Sequence, residues 1–565
     1  MPAMRRSFVR AALVTLVVAT GGCAARGLAI VDGYQGGDGG SGGANGGGGA
    51  NGGGGANGGG GANGGGGANG GGGGAPASPR LVAPLSTVSV TSRRPRLRWD
   101  MSGVAGAATV ELCRDRACGD VLGSATVDGS GAAATPDAEL PAGAPIFWRV
   151  HAGAQTSATW ELFVGHKSAP ADGHFGATVD LDGDGVPDVA AATSSGIAVY
   201  LGGAAGLGGA PLILPNPDAA NANFGYVVAA AGDVNGDGFG DLAVGECGKG
   251  GGRVHVYFGG AGGPSAAPSQ TLSAPDGQSG FGCRLAAAGD LDGDGFADLA
   301  IARTGEDFSG GLYVYRGGPS GLPSTTTRLD SPDYSPSRLG YSLAGVGDLD
   351  GDGYDDLVAS EIDASARSGR AHVYLGGPGG ISNDRQTTLL SPDPSGLQFG
   401  ASVAGVGDVD GDGHPDFAVA APSVSTTPLQ PVVHVYRGGP GGVTPAGAHV
   451  DLTASGVGFA SEVEPAGDVD GDGLSDVIVA SSSAVTLFRG GAGGVTTSGV
   501  PVAAAGQGSN PRHLAGAGDL DGDGRADLVV DDAAGIEALF GTAAGVDRAR
   551  VMTVAPPSAP TGSVI

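Results

Sequence analysis

The chain has 565 residues, which is room for several domains and a large core. Its formal net charge of −28 argues against nucleic acid and anionic membrane surfaces as electrostatic partners. The acid is clustered rather than spread, and the clusters carry more information than the total.

Arg5, Arg6 and Arg10 precede an apolar run over residues 11–19, which ends in Gly21-Gly22-Cys23. The run is shorter than the roughly 20 residues a spanning helix needs. A basic start, a short apolar stretch and small residues are the parts of an export signal. The segment resembles a bacterial lipoprotein signal, which implies cleavage before Cys23 and lipidation of that thiol. Thr20 departs from the Leu or similar residue usual there, and a plain secretory signal with an incidental cysteine is the other reading. The expectation is export: a lipid anchor in the bacterial outer membrane or at the cell surface, otherwise a secreted or periplasmic protein. With Cys23 set aside, Cys113, Cys118, Cys247 and Cys283 remain. An even set in an exported chain without a His-Cys cluster points to disulfides, Cys113 with Cys118 and Cys247 with Cys283.

Residues 24–79 follow as a linker. Residues 36–75 hold 27 of the chain's 117 glycines, mostly as four glycines followed by Ala-Asn. Such a segment has no apolar surface to bury and is predicted to be a flexible tether. Residues 80–165 then show short alternating stretches around Trp99, Val110 and Trp148, the mark of half-buried strands. The pattern resembles a fibronectin type III-like β-sandwich, with Trp99, Trp148 and Trp160 as core residues and no evident chemistry.

From residue 172 the sequence repeats. Seven acidic loops begin at Asp180, Asp233, Asp290, Asp348, Asp408, Asp468 and Asp519, separated by 53, 57, 58, 60, 60 and 51 residues. Each is preceded by one apolar strand and followed by three more, of which the middle one, the third of the unit, ends in Gly-Gly. Four short strands per unit with no helical period predict an all-β fold, a seven-bladed β-propeller over residues 172–555. A linear β-solenoid is the competitor, but its coils are usually much shorter. Residues 556–565 are expected to be a flexible tail.

Each loop reads Asp-x-Asp-x-Asp-Gly-x-x-Asp, except that the second has Asn235 at position 3. The candidate ligands are Asp180, Asp182, Asp184 and Asp188 in the first loop, then Asp233, Asn235, Asp237 and Asp241 in the second. Asp290, Asp292, Asp294 and Asp298 form the third set, and Asp348, Asp350, Asp352 and Asp356 the fourth. Asp408, Asp410, Asp412 and Asp416 form the fifth, Asp468, Asp470, Asp472 and Asp476 the sixth, and Asp519, Asp521, Asp523 and Asp527 the seventh. Carboxylates at positions 1, 3, 5 and 9 and a carbonyl at position 7 can surround one cation, with a glycine at position 6 allowing the sharp turn. Oxygen donors on a flexible loop favour Ca2+ over Mg2+. An Asp-Gly turn alone would explain one such loop. Seven with one spacing predict about seven calcium sites.

The units open on an aromatic-glycine dipeptide: Phe175-Gly176, Phe224-Gly225, Phe281-Gly282 and Phe399-Gly400, with Leu339-Gly340 in the fourth. The sixth and seventh carry Phe459-Ala460 and Asn510-Pro511 instead. In the first unit the dipeptide lies four residues nearer its loop, so a shorter innermost strand is expected there. Dipeptide, strand, acidic loop and strand together resemble FG-GAP repeats, the units of the integrin alpha-subunit propeller. That resemblance implies calcium in the loops and a protein or glycan ligand on the opposite face, where the strand 2–3 connections of units 2–5 are long. The expected function is adhesion or recognition at the cell surface, with no nucleic acid and no membrane contact beyond the lipid anchor. A polysaccharide-processing enzyme on a propeller scaffold and an envelope structural protein are the alternatives. His255, His372 and His434 share one place in the third strand, which reads as structural, and no catalytic motif is present. No enzymatic activity is expected.

Overall fold

The computed structural model describes residues 79–564, with interruptions of which the longest are 168–173, 423–429 and 505–512. The predicted signal peptide with Cys23 and nearly all of the predicted linker lie outside the described residues. Every described element is a β-strand, and no helix among the described residues is long and apolar enough to cross a membrane.

The N-terminal unit is two sheets sharing one core. A small sheet holds Arg80–Ala83, Leu97–Asp100 and Ala133–Ala134. The larger one runs Val88–Ser92, Trp160–Lys167, Pro145–Ala152, Ala108–Cys113 and Val121–Val127. Along Pro145–Ala152 burial alternates residue by residue, as the two-residue period of a half-buried strand requires. Leu81, Leu97 and Trp99 of one sheet pack with Val110, Trp148 and Trp160 of the other. Trp148 and Trp160 meet edge to face with centroids 6.0 Å apart. Cys113 and Cys118 are disulfide-bonded, with Cα atoms 5.1 Å apart.

The rest of the chain forms seven four-stranded sheets of antiparallel strands. Blade 2 is Phe224–Gly232, Asp241–Glu246, Arg253–Tyr257 and Gln270–Ser273, in that order outward. Blades 3 to 7 begin with Phe281–Gly289, Ser337–Gly347, Ser402–Gly407, Glu462–Gly467 and His513–Gly518. These first strands touch one another in sequence around the axis, which makes the assembly a β-propeller. Second strands such as Asp416–Ala421 are buried at every residue, because neighbouring blades cover both faces. Outermost strands such as Gln270–Ser273 bury only Leu272. Near the axis three first strands pass too close to the preceding blade to admit a side chain at one position. A Cβ on Gly345, Gly405 or Gly516 would collide with the preceding blade's first strand, at the carbonyl of Ala287, Gly345 or Pro465.

The first blade departs from expectation. His174–Phe175 does not start it, but pairs with Val88–Ser92 of the N-terminal unit. Only five residues separate Phe175 from Asp180, whereas blade 2 uses the nine residues Phe224–Gly232 for its inner strand. At about 3.3 Å per residue the shorter segment cannot cross the blade. The inner place is taken by Pro560–Val564, antiparallel to Val189–Thr193 with Ala191 opposite Val564 and Thr193 opposite Pro560. The last ten residues are therefore not simply a flexible tail. Their strand touches both His513–Gly518 and Phe224–Gly232 and closes the cycle.

The expected Cys247–Cys283 disulfide is formed, with Cα atoms 4.7 Å apart. It ties the end of blade 2's second strand to the first strand of blade 3, at the end away from the acidic loops.

Candidate metal centres

In blades 2 to 7 the acidic loops join first to second strands, and in blade 1 the loop leads into Val189–Thr193, the second strand. In blade 4, Asp348 accepts the backbone N–H groups of Asp352 at 3.0 Å and Gly353 at 2.7 Å. Asp350 accepts from Asp352 at 3.2 Å, and Asp352 from Tyr354 at 3.2 Å. Gly353 has φ of 88°, the left-handed conformation expected of position 6. Position 4 was not foreseen: Gly236 has φ of 74°, and a Cβ there would lie 2.5 Å from the Phe296 ring at position 7 of the next blade's loop.

Position 9 has a structural task that the motif alone does not reveal. In all seven blades one oxygen of this carboxylate accepts the N–H of position 2, at 2.6–3.1 Å. The other accepts the N–H of a glycine, at 2.7–2.9 Å, that follows the third strand in blades 1 to 6 (Gly202 in blade 1) and lies near its end in blade 7 (Gly541). The carboxylate therefore pins the loop to the third strand. The signal was visible in the sequence as the recurring Gly after that strand.

Burial grades the donors. Position 9 is buried throughout, position 1 is buried in blades 1 to 5, and position 5 is mostly exposed. Burial pushes Asp188, Asp241, Asp416, Asp476 and Asp527 up to about 8, with nearby loop carboxylates adding to the rise and backbone donors opposing it. Asp290 is raised to about 7 and Asp348 to about 6 by the same burial, and Asp298 and Asp356 well above the usual range.

The donors fit a hard cation. One oxygen from each of Asp180, Asp182 and Asp188 lies within 4.8 Å of the other two, as it does for Asp290, Asp292 and Asp294 and for Asp348, Asp350 and Asp356. Each carboxylate oxygen has two lone pairs, so a backbone hydrogen bond does not exhaust it. An all-oxygen, strongly anionic set suits Ca2+. Blade 2 is poorer: Asn235 accepts the Asp237 N–H through Oδ1 at 2.8 Å and turns its Nδ2 to Asp237 at 2.9 Å. Its amide offers a cation one oxygen, Oδ1, and no charge, where the other loops offer a carboxylate.

Arginines beside the loops were missed by the sequence reading. Arg316 meets Asp292 at 2.8 Å, Arg437 meets Asp410 at 2.7 Å and Arg489 meets Asp470 at 2.9 Å, all at position 3. In blade 4 Arg385 reaches Asp352 at 3.0 Å. Each guanidinium relieves repulsion and competes with a cation for the same oxygen. The signal was an Arg directly before Gly-Gly at 316, 437 and 489.

The loops are also tied to one another. Gly240 N–H donates to Asp180 carbonyl at 2.8 Å, Ala297 to Asp233 at 3.0 Å, Asp355 to Asp290 at 3.1 Å, Ser475 to Asp408 at 3.0 Å and Ala526 to Asp468 at 2.8 Å. Position 8 of one loop thus holds position 1 of the loop before it.

A pH dependence follows. Five of the seven position-9 carboxylates have folded-state values near 8 against about 3.9 unfolded, and Asp298 and Asp356 are raised in the same direction. In the calcium-free protein their protonation stabilises the fold fully below pH 4, and this is lost as pH rises toward 8. Melting in calcium-free buffer will be higher at pH 5 than at pH 8, and the gain from added calcium larger at pH 8, since binding displaces protons. A calcium-free protein that melts higher at pH 8 would contradict this origin.

The predicted partner loops at 305–309, 364–368 and 423–429 lie outside the described residues, as do Gly176, Asn510 and Pro511. His255 and His372 are held between a threonine and a buried glutamate. Their Nε2 atoms lie 2.8 Å from Glu246 and 3.1 Å from Glu361.

Comparison with known proteins agrees with this repeat. The FG-GAP-like repeat model matches residues 180–244, 233–301, 290–359, 348–419 and 468–530, and the FG-GAP repeat model matches 399–444. The chain is 41% identical over 144 residues to integrin alpha-4 of Xenopus laevis, covering 24% of this chain and 14% of that protein. It is 35% identical over 145 residues to integrin alpha-IIb of Mus musculus, covering 26% and 13%. The match thus spans only about one-seventh of these relatives' length. Among solved structures, rhamnogalacturonan lyase YesW aligns at 14% identity and a TM-score of 0.32, over 85% of this chain and 92% of that one. The family matches cover more than half of the chain and fall on the same units that fold as four-stranded blades around an acidic loop, so the chain belongs to the FG-GAP repeat family.

Proposed function

We propose that the chain is an exported, calcium-binding propeller that recognises a protein or glycan at the cell surface, and that it binds without catalysing. The observation that carries this reading is the set of acidic loops on one face, linked blade to blade by backbone hydrogen bonds. Calcium held there would neutralise crowded carboxylates and fix the loops. The strand 2–3 connections at the other end would then be presented by a rigid frame, where variable loops usually carry recognition. Two disulfides suit an oxidising compartment, and similarity to integrin alpha subunits supports a surface role. A lipid on Cys23 would hold the protein to the envelope through the glycine-rich linker. The histidines in the blades support the non-catalytic reading, since His255 and His372 are buried and committed to Glu246 and Glu361.

Glycan and protein arrays probed with the calcium-loaded chain test the proposal. The expected result is binding to a restricted ligand class, lost on chelation, with the ligand recovered intact. Cleavage of a bound polysaccharide would establish an enzyme instead, and an absence of calcium-dependent binding would remove the recognition role.

A further inference from the structure

The outer edge of blade 5 departs from its own repeat. In blades 2 and 4 the third-strand histidine is held identically, His255 Nδ1 by Thr271 at 3.0 Å and His372 Nδ1 by Thr388 at 3.0 Å. Their other nitrogens face Glu246 and Glu361, two residues beyond the strand-2 residue that pairs with the histidine. Blade 5 keeps the histidine, His434, but changes all that surrounds it. The glutamate's place holds Ala421, and the threonine's place holds Asp451. Opposite Tyr436, where blade 4 has Gln386 opposite Tyr374, stands a second histidine, His449. The imidazole has exchanged an inner carboxylate for an outer one with a second imidazole beside it.

We infer that His434, His449 and Asp451 form a binding site for one transition-metal ion of the zinc type. One donor atom from each lies within 4.8 Å of the other two. His449 Nε2 is 3.4 Å from Asp451 Oδ1, and tetrahedral zinc with bonds of about 2.0–2.1 Å sets its ligands roughly 3.4 Å apart. His434 Nδ1 lies 2.7 Å from the same oxygen, a hydrogen bond that the ion replaces. The rings are held in place: Phe399 packs 5.6 Å from His434, and Tyr436 5.2 Å from His449. His434 is buried, whereas the side chains of His449 and Asp451 are 25% and 54% exposed, so an ion can enter and keep a water in the fourth position. Two imidazoles select zinc, copper or nickel over calcium. The site is therefore chemically separate from the all-oxygen loops and does not depend on their function.

The test is Co2+ titration of the untagged full chain in millimolar calcium, followed by visible absorption, with Zn2+ as competitor. The expected result is one saturable Co2+ per chain with tetrahedral absorption that Zn2+ abolishes. His449→Gln and Asp451→Thr install the residues that blade 4 carries at those places. Each is expected to weaken Co2+ binding by more than about tenfold, the least cost usual even for outer partners of a metal, with melting in calcium alone unchanged. No saturable Co2+ uptake, or uptake that survives both substitutions together, would overturn the site.

Discussion

Stripped of calcium by excess chelator, the protein will melt roughly 12 °C lower than in millimolar calcium and become open to proteases. Extracellular calcium modules have dissociation constants of about 10⁻⁴ to 10⁻³ M. At about ten times the dissociation constant each site adds roughly 1.4 kcal/mol, so seven independent sites add about 10 kcal/mol. That is comparable with the whole net stability of a typical domain. With an unfolding entropy of about 2.1 cal/mol/K per residue over some 390 residues, the loss converts to about 12 °C. Two structural features make the loss general rather than local. Position-9 carboxylates pin loop to third strand in every blade, and position 8 pins loop to loop at five of the seams. Seams with Pro187 and Pro415 at position 8 have no such N–H to give and are where proteolysis of the calcium-free chain will begin. Superimposable melting curves with and without chelator would contradict the coupling.

Deleting residues 556–565 will destabilise the propeller out of proportion to its length. The deletion removes Pro560–Val564 and leaves blade 1 with the bare inner edge of Val189–Thr193, a strand buried along its whole length. At about 1 kcal/mol per ladder hydrogen bond, the backbone loss is a few kcal/mol. Exposed apolar surface adds to it, and an open edge invites pairing between molecules. The truncated chain is expected to melt at least about 5 °C lower and to associate in size-exclusion chromatography. A monomer with unchanged melting would show that the C-terminal strand does not close the ring.

The sequence made the repeat legible because each blade has to solve one problem in the same way. The Asp spacing, the strand ending in Gly-Gly and the four strands per unit recur since each places the same backbone groups. Trp99, Trp148 and Trp160 could be read as core from the alternating strands and their resemblance to a fibronectin type III-like sandwich, and they are buried. The pairing of Cys247 with Cys283 followed from strand direction, which puts both at one end of adjacent blades. Contacts between segments distant in sequence were not legible. Nothing local marks Pro560–Val564 as the partner of Val189–Thr193, because a parity of strands is settled only when the ring closes. The second task of position 9 was hidden for a similar reason: its glycine partner comes 14–22 residues later. The arginines facing position 3 arrive from a strand that the motif does not include.

Counting calcium on the purified chain tests the account most directly. In equilibrium dialysis at a free calcium concentration about ten times the dissociation constant, elemental analysis of both compartments should find an excess of about seven ions per chain on the protein side, as the loop count requires. Asp350→Ala with Asp352→Ala removes two donors of blade 4 but spares Asp348 and Asp356, which hold the loop together, and should lower the count by one. A chain that retains no calcium, or a count that the double substitution leaves unchanged, would contradict the assignment of these loops as cation sites.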